Sequence, residues 1–134
     1  MTRPAPVVTD DNRGFWEAAR QHRLVTQRCT SCGRLSHPPR PMCPNCHSLD
    51  QEFIDVAGTG TVYSYAILHH PQNPAFEYPV LAVLVDLAEG PRILSNLVNC
   101  PPNDVRIGMP VRVTFETTAD DMAVPVFEPV EQAT

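Results

Sequence analysis

From residue 57 onward the apolar positions recur with a period of two. In "TVYSYAILHH" (61–70) Tyr63, Tyr65 and Ile67 alternate with smaller or polar neighbours, and "VRVTFE" (111–116) sets Val111, Val113 and Phe115 against Arg112, Thr114 and Glu116. Alternation sends successive side chains to opposite faces, so each stretch predicts a strand with one face toward a core. Between them, "PVLAVLVDL" and "RILSNLV" are apolar runs joined at "AEGP" and predict a hairpin. The last segment, "VPVFEP" (124–129), carries prolines, which donate nothing to a ladder and so suit an edge strand. The glycines of "AGTGTV" (57–62) mark a bulge or sharp bend as the first long strand begins. Five strands in about 80 residues, with no second helical pattern, predict a small closed barrel of the OB type.

The first half has another rhythm. "DDNRGFWEAARQHRL" (10–24) predicts a short helix that Asp11 or Asn12 can cap, with Phe15, Ala19 and His22 at i, i+4 and i+7. Phe15 and Trp16 are adjacent and cannot both occupy the centre of one stripe. One of them therefore faces something other than the helix's own support, either elsewhere on the domain or on a partner. Arg20 and Arg23 fall on the solvated side.

Between helix and strands stands "CTSCGRLSHPPRPMCPNC" (29–46), two Cys-x-x-Cys pairs separated by ten residues. Each such turn lets two thiolates converge on one ion, and two turns side by side complete a tetrahedral sulfur site for zinc or iron. The candidate ligands are Cys29, Cys32, Cys43 and Cys46. Gly33 supplies the backbone freedom such a knuckle uses, whereas in the second knuckle His47 stands where glycine is expected. The spacer "GRLSHPPRPM" has three prolines and no helix or strand pattern, which predicts a plain loop. Four thiolates close the metal's shell, so the ion is structural and not catalytic. Zinc is favoured over iron because nothing else in the chain suggests electron transfer. Disulfides, c-type haem attachment at "CPNCH" and a redox dithiol are the rival uses, and each lacks the compartment or the helical context it requires.

Composition sharpens this picture without changing it. The chain has 134 residues, 43% of them hydrophobic, and a net charge of −5. That length suits one small domain with an appendage. No apolar run approaches a membrane span, and the N-terminus lacks a secretion-signal core, so a cytoplasmic, reducing location is expected. Residues 1–50 hold seven arginines against four acids and 51–134 hold three against eleven, giving halves of +3 and −8. The expected organisation is a helix and lead-in strand over 1–28, a metal ribbon over 29–50 and a barrel over 51–134.

The proline-rich linker "PQNPAFEYP" (71–79) carries Phe76 and Tyr78 and is long for a small barrel, which marks it as a candidate functional loop or as an ordered cover for the barrel mouth. His69 and His70 end the first strand without a nearby carboxylate or nucleophile and read as structural or solvated. Cys100 reads as a partly buried small residue. No nucleophile elbow, phosphate-cradling glycine loop, metalloprotease pair or dinucleotide fingerprint is present, which favours binding or scaffolding over catalysis.

Taken in order, the aromatic helix, "LVTQRCTSCGRLSHPPRPMCPNC", "GTGTVYSYAILHHP", "LVDLAEGPRILSNLVNC", "IGMPVRVTFE" and "VFEP" closely resemble the acyl-CoA-associated domain-of-unknown-function family that joins a rubredoxin-like zinc ribbon to an OB-fold. The resemblance runs from about Phe15 to Pro129. It implies a mainly β protein with an N-terminal helix, a structural zinc ion on Cys29, Cys32, Cys43 and Cys46, and a five-stranded OB-fold. It also implies a non-catalytic accessory subunit of a thiolase-fold enzyme: a thiolase, a hydroxymethylglutaryl-CoA-forming complex or a lipid-transfer-protein-like aldolase that cleaves steroid side chains. Catalytic residues then lie on the partner, in a hetero-oligomer for which two plus two is the natural guess. Phe15, Trp16 and Arg20 become candidate partner contacts, while Phe76, Tyr78 and His69 become candidate neighbours of an acyl-CoA shared with the partner.

Three rivals stand beside this reading. Zinc ribbons and OB-folds also bind nucleic acid, but such modules carry a basic groove with stacking aromatics, and the barrel half here is acidic. An iron-bearing electron carrier and an autonomous acyl-CoA hydrolase or synthase are the others.

Overall fold

The computed structural model describes residues 3–70, 72–76 and 78–130. One helix, α1 (Arg13–Arg20), leads into a three-stranded antiparallel sheet of β1 (Val25–Cys29), β2 (Leu35–Ser36) and β3 (Gln51–Asp55), ordered β2-β1-β3. Five further strands follow: β4 (Thr59–Leu68), β5 (Val80–Leu87), β6 (Arg92–Leu97), β7 (Pro110–Thr117) and β8 (Ala123–Pro129). They close a barrel in the order β4-β5-β6-β8-β7. The expected class is thus observed: mainly β, one N-terminal helix, and a closed five-stranded barrel. Among the described residues no helix is long and apolar enough to cross a membrane.

Closure depends on β4 bending enough to touch both neighbours. Its first residues pair with β7 from Thr59↔Arg112 to Thr61↔Pro110, while its whole length pairs with β5. Gly60 makes the approach possible, because a Cβ there would run into the Asp86 carbonyl and lie 2.9 Å from Val85 Cγ1. The interior is filled by β-branched and aromatic side chains, with Val62, Val83, Val85, Val111 and Phe127 sealed from solvent.

Three sequence expectations are corrected here. Tyr63, Tyr65 and Ile67 do not share a face. A bulge between Val62 and Ser64 makes Tyr63 the extra residue, and its ring lies 3.4 Å beneath the Arg92 guanidinium. Beyond the bulge Tyr65 and Ile67 register with the buried Val83 and Leu81, hence with the interior side. They nevertheless stay 39% and 37% exposed, since β7 pairs with β4 no further than Thr61. β8 is not an edge strand: it lies between β6 and β7. Its prolines survive there because the β6 side is paired only at Leu97↔Phe127.

The third correction concerns the helix. It stops at Arg20, and the turn that ends it bonds Gln21 and Arg23 N–H groups to the Ala18 carbonyl and His22 N–H to that of Ala19. His22 therefore adopts a left-handed φ of 58° and leaves the helical stripe. Its ring stacks instead on Phe115 of β7, 5.2 Å between centroids and 4° from parallel. At the start, Asn12 is the boundary residue but makes no cap; its side chain accepts from Thr9 N–H and donates to the Val7 carbonyl.

Helix, sheet and barrel share one core. Phe15, Ala18, Leu24 and Val25 belong to the same buried cluster as Val62, Val85 and Phe127. Gly14 lets α1 settle on β3, where a Cβ would come within 2.6 Å of the Phe53 ring.

Candidate metal centre and its surroundings

The four ligand candidates sit at the ends of short elements. Cys29 closes β1, Cys32 follows it in the first knuckle, and Cys43 and Cys46 form the second. Their four sulfurs lie within 4.8 Å of one another, with Cys29 Sγ 3.5 Å from Cys46 Sγ and Cys32 Sγ 3.6 Å from Cys43 Sγ. An ion bound about 2.3 Å from each of four tetrahedral thiolates separates the sulfurs by about 3.8 Å, so these spacings fit such an ion. None of the cysteines is in a disulfide.

Backbone geometry repeats in the two knuckles. Gly33 N–H donates to the Cys29 carbonyl at 2.8 Å, and His47 N–H donates to the Cys43 carbonyl at 3.0 Å. Both residues are left-handed, Gly33 at φ 79° and His47 at φ 65°. His47 thus fills a position that favours glycine, which explains why it looked out of place in the sequence. Inside the turns, Cys32 N–H reaches Cys29 Sγ at 3.5 Å and Asn45 N–H reaches Cys43 Sγ at 3.4 Å.

Those N–H groups tune the thiols. The Cys32 backbone N–H, against the opposing effect of burial, helps bring Cys29 down to about 6, and the Cys46 backbone N–H likewise lowers Cys43. At Cys46 the Ser48 N–H pulls down, but its sulfur neighbours and burial together push it up to about 12. A metal ion takes up cysteine as thiolate, so binding at such a cluster is coupled to proton release.

The ten-residue spacer is more ordered than its prolines imply. Leu35 and Ser36 form β2, paired with Arg28 and Gln27 of β1. Where the prolines leave no N–H to continue the ladder, the buried Gln27 side chain takes over: its amide donates to the Arg40 carbonyl at 2.7 Å and accepts from Arg40 N–H at 2.8 Å. β1 and β3 extend the sheet to either side of 29–50.

The other sequence-nominated residues are dispersed. Phe15 is 4% exposed and meets Trp16 edge to face at 4.8 Å, and His37 at 5.3 Å. Trp16 is half-buried, its Nε1 without a hydrogen-bond partner, and Arg20 is exposed. Phe76 lies beneath the Arg3 guanidinium at 4.9 Å, while Tyr78 Oη accepts from Asn73 N–H at 2.8 Å. Both line a cavity of ≈ 790 Å³ with Arg3, Asn96, Cys100 and Glu116. His69 is exposed at the end of β4 and is not among that cavity's lining. Arg3, absent from the sequence reading, ties this wall together through Glu116 Oε2 at 2.9 Å and Asn96 Oδ1 at 2.8 Å. Nothing in the pattern around Arg3 announces that role, which joins residues 93 and 113 positions apart.

Two domain families match in succession: "ChsH2, rubredoxin-like zinc ribbon domain" over residues 16–51 and "ChsH2, C-terminal OB-fold domain" over 53–116. A "DUF35 domain-containing scaffold protein" of Methanocaldococcus jannaschii is 33% identical over 111 residues, covering 81% of this chain and 79% of that protein. The chain belongs to the ChsH2-like DUF35 family. This DUF35 chain is also 48% identical to a "Probable enoyl-CoA hydratase alpha subunit" of Thermomonospora curvata, over 95% of its own length. It spans only 40% of that relative's length. Among solved structures, one chain of the "Ltp2-ChsH2(DUF35) aldolase" superposes with a TM-score of 0.88 at 47% identity, covering 93% of this DUF35 chain and 98% of the other.

Proposed function

We propose that this protein is a non-catalytic accessory subunit of an acyl-CoA enzyme complex, held in shape by a structural zinc ion and docked on a thiolase-fold subunit, either a thiolase or an aldolase. The observation that carries the reading is the near-complete match to the DUF35 chain of a two-component aldolase. Surface chemistry supports it: Tyr65, Ile67 and Leu68 lie exposed on the stretch of β4 that β7 leaves unpaired. Gly108 N–H bonds the Val62 carbonyl at 2.7 Å, which sets the 70% exposed Ile107 beside the same strand. Apolar side chains next to unpaired strand backbone suit a protein interface.

In this reading Trp16 and Arg20 supply further contacts. The Phe76 and Tyr78 wall borders the acyl chain of a ligand shared with the partner, in a hetero-oligomer of two plus two. Zinc is the ion because four thiolates, a closed shell and a non-redox role suit it. A tagged pull-down from the native host at moderate salt tests the assignment. A stoichiometric thiolase-like or aldolase-like protein, retained by wild type and lost with Ile67→Asp, is the expected result. A partnerless chain that binds single-stranded DNA, or that turns over a CoA ester alone, overturns it. Phe76→Ala tests the acyl wall separately and is expected to lower acyl-CoA affinity of the complex; an unchanged affinity and activity removes Phe76 from the assignment.

A further inference from the structure

We propose that a cationic groove between the ribbon's spacer and the β5–β6 turn binds the phosphates of a coenzyme A-type ligand through Arg34 and Arg40, an assignment that rests on the acyl-CoA reading above. The groove has a volume of ≈ 560 Å³ and lies between residues 33–44 of the ribbon side and 89–92 of the barrel. Arg34, Arg40 and Arg92 all line it, against one acid, Glu89.

What distinguishes the three cations is whether they are already spent. Arg92 is bonded to Asp86 at 2.6 Å and sits on the Tyr63 ring. Arg34 and Arg40 have no carboxylate within ion-pair distance among the described residues, and both are exposed. The acid at the rim is engaged elsewhere, since Glu89 Oε2 accepts from Ala57 N–H at 2.9 Å. The two unspent guanidiniums are carried on fixed backbone. The Arg34 carbonyl accepts from Cys29 N–H at 3.0 Å, and Arg40 is clamped through both peptide groups by Gln27, with Gln51 Nε2 adding a bond to its carbonyl at 3.0 Å.

A further observation leaves room for a ligand in the groove. Gly33 and Gly90 also line it, and a Cβ on either would meet nothing within 4 Å, so open space adjoins the backbone there. Two planar donors and open backbone make a site for a multiply charged, oxygen-rich anion. A coenzyme A ester carries such groups at its 3′-phosphate and its diphosphate. The ribbon half carries +3 against −8 for the barrel half, so a polyanion meets less repulsion on the ribbon's side.

Calorimetric titration of the metal-loaded full chain with coenzyme A tests the site, with dephospho-coenzyme A, inorganic pyrophosphate and pantetheine in parallel. Coenzyme A is expected to bind with an affinity that falls as salt rises, pantetheine is expected not to bind, and Arg34→Gln with Arg40→Gln is expected to weaken coenzyme A about tenfold or more. Arg34→Lys with Arg40→Lys is expected to recover part of the loss. Weaker dephospho-coenzyme A binding assigns the 3′-phosphate to the arginines; equal binding together with pyrophosphate competition assigns the diphosphate. No coenzyme A binding by wild type, or binding indifferent to the double glutamine variant, overturns the proposal. A pull-down with the same variant separates it from the partner reading. Partner retained with coenzyme A affinity lost supports the phosphate site, whereas partner lost with affinity unchanged makes the groove a protein contact and overturns it.

Discussion

His37 sits where helix, ribbon and barrel meet, and its substitution reports on that junction through pH. Its ring is 5.3 Å from that of Phe15, and burial lowers its pKa from the ordinary 6.5 to about 4. Above pH 6.5 the imidazole is neutral in both folded and unfolded chains and contributes no pH dependence. Between 6.5 and 4 the unfolded chain takes up a proton that the folded chain refuses, so stability falls as pH falls through that window. The depressed folded pKa gives a loss of about 2 kcal/mol at pH 5, approaching about 3 kcal/mol once both states are protonated. His37→Phe keeps an aromatic ring and removes the proton. Denaturant unfolding of metal-loaded wild type and variant, measured from pH 7.5 to 5, gives the difference directly, and acid effects on the thiolates are common to both proteins and cancel. The expected result is that the variant gains about 2 kcal/mol relative to wild type on going from pH 7.5 to 5. Parallel curves would refute the buried, neutral state of His37.

Further outcomes test the metal site and the barrel. Cys43→Ser is expected to reduce bound zinc from one ion per chain to substoichiometric levels by elemental analysis, and hydrogen exchange should then accelerate across 25–55. His47→Gly relieves a left-handed non-glycine residue and is expected to raise stability by about 1 kcal/mol with zinc content unchanged; a loss of stability would show that the imidazole has a role of its own. Gly60→Ala forces a Cβ against the Asp86 carbonyl and is expected to cost about 2 kcal/mol or more in denaturant unfolding, whereas a neutral result would mean that β4 can close the barrel by another path.

The legible parts of this protein were those fixed by local chemistry. Two Cys-x-x-Cys pairs have one economical arrangement, and the four sulfurs adopt it. Alternation located β4 and β7, and apolar runs broken at "AEGP" located the β5–β6 hairpin, because each strand needs an apolar face against a common interior. What failed were inferences that required knowing a neighbour. The bulge at Tyr63 cannot be read from "TVYSYAIL", since every second residue stays apolar whether or not the register slips. Leu35 and Ser36 are too few to show a period, and they form a strand because β1 offers an edge and Gln27 replaces the missing ladder bonds. The prolines of β8 argued for an edge, yet in a barrel a strand can be enclosed while one of its sides is barely paired. Arg3 works across the tertiary structure, so no local signal could nominate it.

Charge pairing gives the two halves different surfaces. Two of the barrel's three arginines have acidic partners, Arg92 in Asp86 and Arg112 in Glu128, while Arg106 bonds the Asn103 and Val105 carbonyls. On the helix and ribbon side Arg13, Arg23 and Arg28 have acidic partners, but Arg20, Arg34 and Arg40 have none among the described residues. The unbalanced positive field therefore belongs to the helix and ribbon, and the unpaired apolar strand edge belongs to the barrel. A contact made through the first should weaken with salt, because exposed charges are screened over about 10 Å at 0.1 M. A contact made through Tyr65 and Ile67 should hold or strengthen, because apolar burial does not depend on that screening. The salt dependence of complex formation thus separates the two surfaces: partner retention at high salt assigns docking to the barrel edge, while loss of coenzyme A binding over the same range assigns phosphate recognition to the ribbon.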